Sequence, residues 1–293
     1  MQWNNHGKVD GASYNWYVEN TSFWEQLYEQ LPHLEQLYFA GGESTITEEH
    51  YRLLEECVRR GESSHIELRY NSNAVELPER LFTLWNKFKR VRFHISLDGY
   101  GQRNDYIRYP SCWEHMELQL RRLDETPENI EVTIACAIQV LNIHHFPDFI
   151  RWKLKQNYKK INAWPFAAGL INFHLVYHPA MLNVKVLPLW MKERVKEKYE
   201  NLYTFLQERY KGHPSFFASP YGIKKMQGLV RFMFSEDWSG RLPEFREYIK
   251  KMDQIRGTSF ATTFPELKEL MAPRSTKATG FQATTANDTL TSF

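Results

Sequence analysis

Along the chain, five short stretches show apolar and polar residues alternating with a period of two, and the segments between them repeat with a helical period. Residues 36–39, 65–70, 91–97, 132–141 and 171–177 read as strands. Residues 47–60, 77–88, 113–123 and 146–156 read as helices. Thr47 caps the first of these, with Glu48 and Glu49 in its opening turn and Gly61 as its stop, and Ser111 is the cap expected for the third. Strict alternation of strand and helix predicts right-handed crossovers and a parallel sheet, either an open doubly wound sheet or a barrel. After Pro179 the pattern turns helical. Leu187-Pro188 opens a long helix to about Tyr210, with Met191, Val195, Leu202 and Leu206 on one face and Gly212 beyond its end, and further helices are expected near 220–234 and 242–255. Residues 273–293, rich in Thr, Ala and Ser, predict a disordered tail.

Parity divides the strands into two faces. Ile66, Leu68 and Tyr70, then Val91, Phe93, Ile95 and Leu97, then Val132, Ile134, Cys136, Ile138 and Val140, then Ile171, Phe173, Leu175 and Tyr177 form apolar sets that should pack under helices. The opposite parity carries Glu67, Arg69, Asn71 and Asn73, then His94, Ser96 and Asp98, then Thr133 and Gln139, then Asn172, His174 and His178. A closed eight-stranded barrel fills its centre with branched apolar layers, so a polar set predicts a wet interior able to hold a ligand. Taken one at a time, these residues also read as a Glu67–Arg69 ion pair and as satisfied core histidines at His94 and His174. Taken together they place a site at the C-terminal strand ends, with Glu67, Arg69, His94, Gln139 and His174 as substrate-lining candidates.

Composition narrows the function. The 293 residues suffice for one large domain, and 42% hydrophobic against 25% charged residues is a globular balance. Basic and acidic residues number 37 and 35, so no nucleic-acid footprint is expected. No apolar run reaches membrane-span length and the N-terminus lacks a secretory pattern, which predicts a soluble, cytoplasmic protein with no membrane partner. Cys57, Cys112 and Cys136 are too scattered for a disulfide framework or a metal motif, and Cys57 and Cys136 read as small core residues.

The strand ends supply the candidate chemistry. Leu37-Tyr38-Phe39-Ala40-Gly41-Gly42-Glu43 leaves a strand through two glycines into an acid, Tyr70-Asn71-Ser72-Asn73 ends the next, and His94-Ile95-Ser96-Leu97-Asp98-Gly99 ends the one beyond. Glycines admit a ligand close to the backbone, and a carboxylate beside them can accept from an ammonium group. A strand ending in GGE, one ending in SN where TN is usual, one ending in SLDG followed by NDYIRYP and Trp113, and the later QVLNI together resemble the radical S-adenosylmethionine superfamily, in its subgroup with SPASM or twitch regions. The resemblance runs from about Trp24 to Pro188.

What this resemblance implies is an incomplete parallel (β/α) barrel of radical SAM type over 36–180, entered through a segment 1–35 and followed by a helical region over 181–272 and the tail. Gly41, Gly42 and Glu43 would hold the methionyl ammonium of S-adenosylmethionine. Ser96 would contact its ribose or carboxylate, with Asp98 and Gly99 shaping the turn, and Arg108 would pair with the carboxylate. Ser72 and Asn73 would line the pocket, and Asn142 would lie near the adenine. The implied function is reductive cleavage of S-adenosylmethionine by a 4Fe-4S cluster to modify a peptide-like or protein substrate.

The chain departs from the family at the cluster. The defining CxxxCxxC loop is missing, because the first cysteine is Cys57, and cysteines for an auxiliary cluster are absent too. Three expectations follow: a truncated product, a split enzyme whose partner or missing N-terminal segment brings the loop, or a degenerate descendant that binds without radical chemistry. Trp3, Tyr14, Trp16, Tyr17 and Trp24 fit truncation or a partner-facing surface. The chain alone is expected to be inactive, with no catalytic residue or metal ligand assigned. Two other functions compete. One is a metal-dependent hydrolase using His94, His174 and His178 with Glu67 or Asp98. The other is a catalytically silent S-adenosylmethionine-binding or partner-binding module.

Overall fold

Val91, Phe93 and Ile95 are fully buried while the intervening Arg92, His94 and Ser96 remain half-open, the two-faced pattern that makes residues 90–96 a strand with one covered side. A computed structural model places this strand at the centre of its sheet and describes residues 20–41, 43–161, 171–211 and 223–272. Gly42, Gly212, the aromatic residues Trp3, Tyr14, Trp16 and Tyr17, and the expected tail 273–293 lie outside the described residues.

Helix α1 (Thr21–Gln30) leads to β1 (Gln36–Phe39), α2 (Glu48–Arg59), β2 (Glu67–Ser72), α3 (Glu79–Trp85) and β3 (Arg90–Ser96). Then come α4 (Gln102–Ile107), α5 (Trp113–Asp124), β4 (Ile130–Ile138), α6 (Phe146–Lys155) and β5 (Asn172–Leu175). The protein is α/β, with one parallel five-stranded sheet in the order β1-β2-β3-β4-β5. Each new strand joins the same edge, so right-handed crossovers carry every connecting helix to one face and leave the other to polar side chains. Beneath the helices, Trp85 packs against Tyr70 and Phe93 with ring centroids 5.3 and 5.2 Å apart.

Helices α7 (Leu189–Arg209), α8 (Ile223–Phe234) and α9 (Leu242–Arg256), of 21, 12 and 15 residues, follow. The expected stripe of α7, Met191, Val195, Leu202 and Leu206, is fully buried together with Tyr199. This region is tied to α4 by polar bonds. Tyr106 donates to Asp253 at 2.9 Å, and Arg103 donates to Glu266 at 2.9 Å. No helix among the described residues is long and apolar enough to cross a membrane.

Several boundaries differ from the sequence expectation. The helix expected over 77–88 is only Glu79–Trp85, because Pro78, extended at φ −65° and ψ 151°, occupies its N-cap. Ser111 does not cap α5. Its hydroxyl lies 3.2 Å from the Asn104 amide it accepts from, and Asp105 takes the Trp113 N–H instead. Thr47 stands at the N-cap of α2 but spends its hydroxyl on the Ser44 carbonyl. The last strand is shorter than 171–177, so parity no longer governs its end: Tyr177, expected under the helices, is 55% exposed, and His178 is exposed beyond the sheet. Likewise β4 ends at Ile138, and Gln139, expected on the polar face, is buried in the turn that follows.

Candidate functional site

Register places the polar residues of the uncovered face in rows across the sheet. Near the N-terminal strand ends, Tyr38, Arg69, Arg92 and Glu131 occupy paired positions, and Glu67 pairs with Arg90. Their charges interlock. Arg69 Nε meets Glu67 at 2.6 Å, Arg92 meets Glu67 at 3.5 Å and Glu131 at 3.2 Å, and Arg90 also pairs with Glu131. Glu67 is thus structural, the floor of the face. One row higher, Asn71 pairs with His94 and His94 with Thr133. Asn71 donates to the Tyr38 hydroxyl, and His94 Nδ1 bonds Thr133 Oγ1. Burial, then Arg69 and Arg92, lower the His94 pKa against the opposing pull of Glu131.

Above this floor lies a cavity of about 510 Å³, with Arg69, Asn71, His94, Ser96, Arg108 and His174 in its walls. Sequence reading placed five of these six among its candidate site residues and Asn71 on the same face. Gln36 and Tyr38 also line the cavity and were missed, although Tyr38 lies level with Arg69 and shares its face. A four-residue edge strand offers too little alternation for parity to assign.

Glu43, Ser72 and Asn73 form a separate cluster outside the cavity lining. Glu43 Oε1 accepts from Thr45 Oγ1 at 2.6 Å and Ser72 Oγ at 2.7 Å, and Oε2 accepts from the Asn73 N–H at 3.0 Å. Thr45 carried no signal in the sequence beyond its distance from Glu43. The carboxylate is held in one orientation, with three of its roughly four acceptor positions used. Gly41 turns the chain into this cluster at φ +86°, and a methyl group added there meets nothing within 4 Å. Gly41→Ala is therefore expected to cost about 1–2 kcal/mol from backbone strain alone. Urea denaturation checks this, and a much larger loss would place an unseen close approach at Gly41.

Asp98 and Asn142 act as buried supports. Asp98, 4% exposed, accepts the Ala137 N–H at 2.6 Å and lies 2.9 Å from Arg108 Nε. Burial raises its pKa, opposed by Arg108, the Ala137 N–H and the Cys136 thiol. Asn142 donates to the Asp98 and Ala137 carbonyls and accepts from the Gln139 N–H, stapling the turn after β4 to the turn after β3. Its polar atoms are spent on backbone. Arg108 differs, because its terminal nitrogens donate to no group among the described residues and it stands in the cavity wall.

The described residues contain no group of three or more His, Cys, Asp or Glu able to hold a metal ion. Cys57 and Cys136 are buried in α2 and β4, and burial pushes the Cys57 thiol up to about 12. Cys112 is exposed at the start of α5. Compared with protein-family models the chain matches none, and a comparison with curated proteins finds no match.

Proposed function

We propose that the chain is a radical SAM-type partial (β/α) barrel that binds S-adenosylmethionine at the C-terminal ends of its strands. The observation carrying this reading is the single sweep of five parallel strands with one polar, half-open face and a cavity on it. Two features suit a methionyl zwitterion. Glu43 is orientated by three donors and keeps room for one more, as an ammonium would supply. Arg108 is anchored by Asp98 through Nε and presents its remaining nitrogens for a carboxylate.

The residues present do not fit a 4Fe-4S cluster. The three cysteines sit in a helix, at a helix start and in a strand, two of them buried, and none is near another in sequence. In the reading proposed, thiolates for radical chemistry on a peptide-like substrate come from a partner or another part of the enzyme, and this chain contributes cofactor and substrate binding. The metal-dependent hydrolase has no support from the geometry, since no three His, Cys, Asp or Glu side chains among the described residues are grouped to hold a metal ion and His178 lies beyond the sheet.

Isothermal titration of the purified chain with S-adenosylmethionine tests the reading. Binding is expected, and Glu43→Gln should weaken it about tenfold, the worth of one charge-assisted hydrogen bond. No binding at millimolar ligand, or equal binding by a folded Glu43→Gln variant, would overturn it. Anaerobic reconstitution of the chain alone should give neither a stoichiometric cluster nor 5′-deoxyadenosine.

A further inference from the structure

Charge around the cavity is unbalanced. Among the described residues its walls hold Arg69, Arg108, His94 and His174 but no carboxylate. The two acids of the floor, Glu67 and Glu131, are shared among three guanidiniums, those of Arg69, Arg90 and Arg92. Arg69 meets Glu67 through Nε, which leaves its terminal nitrogens without a partner among the described residues. His94 bonds Thr133 through Nδ1, which leaves Nε2 to the cavity. On the far side Lys225 reaches the neutral amide oxygen of Asn172 at 3.1 Å and meets no carboxylate among the described residues.

A cavity with donors on several walls and no acid among them disfavours a cationic head group and is matched poorly by a neutral one, whose single carbonyl leaves guanidinium nitrogens unmatched once water is displaced. A flat guanidinium fork beside an imidazole fits a planar or tetrahedral oxyanion. Resting on the reading that ligands bind in this cavity, we infer that the substrate carries an oxyanion head, a carboxylate or a phosphate, held between the terminal nitrogens of Arg69 and Nε2 of His94. Glu43 and Arg108 remain for S-adenosylmethionine, so the two ligands use different residues. The charged groups around His94 are Arg69 on β2, Arg92 on β3 itself and Glu131 on β4, with Arg108 and His174 across the cavity. An anion between Arg69 and His94 offsets the first two and favours the imidazolium, so its binding strengthens as pH falls.

The test uses four probes that share a ring and differ in charge: benzoate, phenyl phosphate, benzamide and benzylamine. Ligand-observed NMR on the full chain measures binding, and ¹⁵N-labelled histidine follows His94. Both anions are expected to bind, with the tighter one identifying the head group as carboxylate or phosphate, and benzamide and benzylamine are expected not to. Arg69→Gln and His94→Gln should each weaken the anions about tenfold. Arg59→Gln removes the same charge from an exposed site on α2, outside the cavity lining, and should leave binding unchanged. The His94 titration midpoint should rise when benzoate is bound. Equal binding of benzamide, equal losses from Arg69→Gln and Arg59→Gln, or an unmoved His94 midpoint would each overturn the inference. Failure of S-adenosylmethionine binding alongside intact benzoate binding would instead overturn the cofactor assignment, because Glu43→Gln leaves the Arg69 and His94 pair untouched.

Discussion

Asp98→Ala is expected to destabilise the protein by about 3 kcal/mol or more, read as a lower urea midpoint at an unchanged slope. The substitution removes the acceptor of the Ala137 N–H and the counter-charge of Arg108 in one step. An unpaired buried donor costs about 1–3 kcal/mol, and breaking a buried ion pair about 3–5. Arg108 keeps about a quarter of its side chain in solvent, which holds the expected loss to the low end of the ion-pair range. Asp98→Asn keeps an oxygen for Ala137 but no charge for Arg108, so it should cost about half as much. Because Asp98 also orientates Arg108 into the cavity, Asp98→Asn should weaken S-adenosylmethionine binding more than it weakens the fold. If Asp98→Ala is as stable as the parent chain, the Asp98–Arg108 pair is not a support of the site.

Acid should be the second strong perturbation. Burial pushes His50 down to about 4, and burial together with Lys198 and Arg103 pushes His144 down to about 4. In the unfolded chain each titrates near 6.5. Between these values the unfolded chain binds protons that the native one refuses, so stability is full above about pH 6.5 and is lost as pH falls to about 4. At roughly 1.4 kcal/mol per unit, each histidine accounts for roughly 3 kcal/mol over that window. Urea midpoints at several pH values should fall steeply across it, and His50→Gln or His144→Gln should each flatten the slope, by less than half because burial also holds His94 and His145 low. The same slope in both variants and the parent would show that other groups govern the acid limb.

The α/β class and the polar face were legible in the chain because strand parity is a local property. Residues 91–97 alternate so regularly that no neighbour is needed to decide which side is covered. Legibility failed where a strand ends. Tyr177 and Gln139 follow the alternation of their strands in sequence, yet β5 and β4 stop short of them, and a turn sends each side chain where the turn dictates. Helix starts failed for a similar reason. Ser111 is a fitting cap by type, but Asp105 of the preceding helix reaches the Trp113 N–H first.

Which side chains share a face, where the longer helices run, and that the three cysteines are too scattered for a metal motif could be read along the chain, since period and spacing are carried by neighbours in sequence, whereas α1 and the short α4 carried no such signal. What each polar residue does was settled by its neighbours in space. Glu67 and Arg69 are two apart on one strand, yet Glu67 is spent on the floor while Arg69 keeps free nitrogens in the cavity. That outcome depends on Arg92 and Glu131, brought alongside by strand register. Glu43 and Arg108 look alike as candidates in sequence, but one is orientated by Ser72 and Asn73 and the other by Asp98. Hydrogen bonds and ion pairs act over a few ångströms in space, and which groups come within that range is settled by pairing between strands that lie 20 or more residues apart.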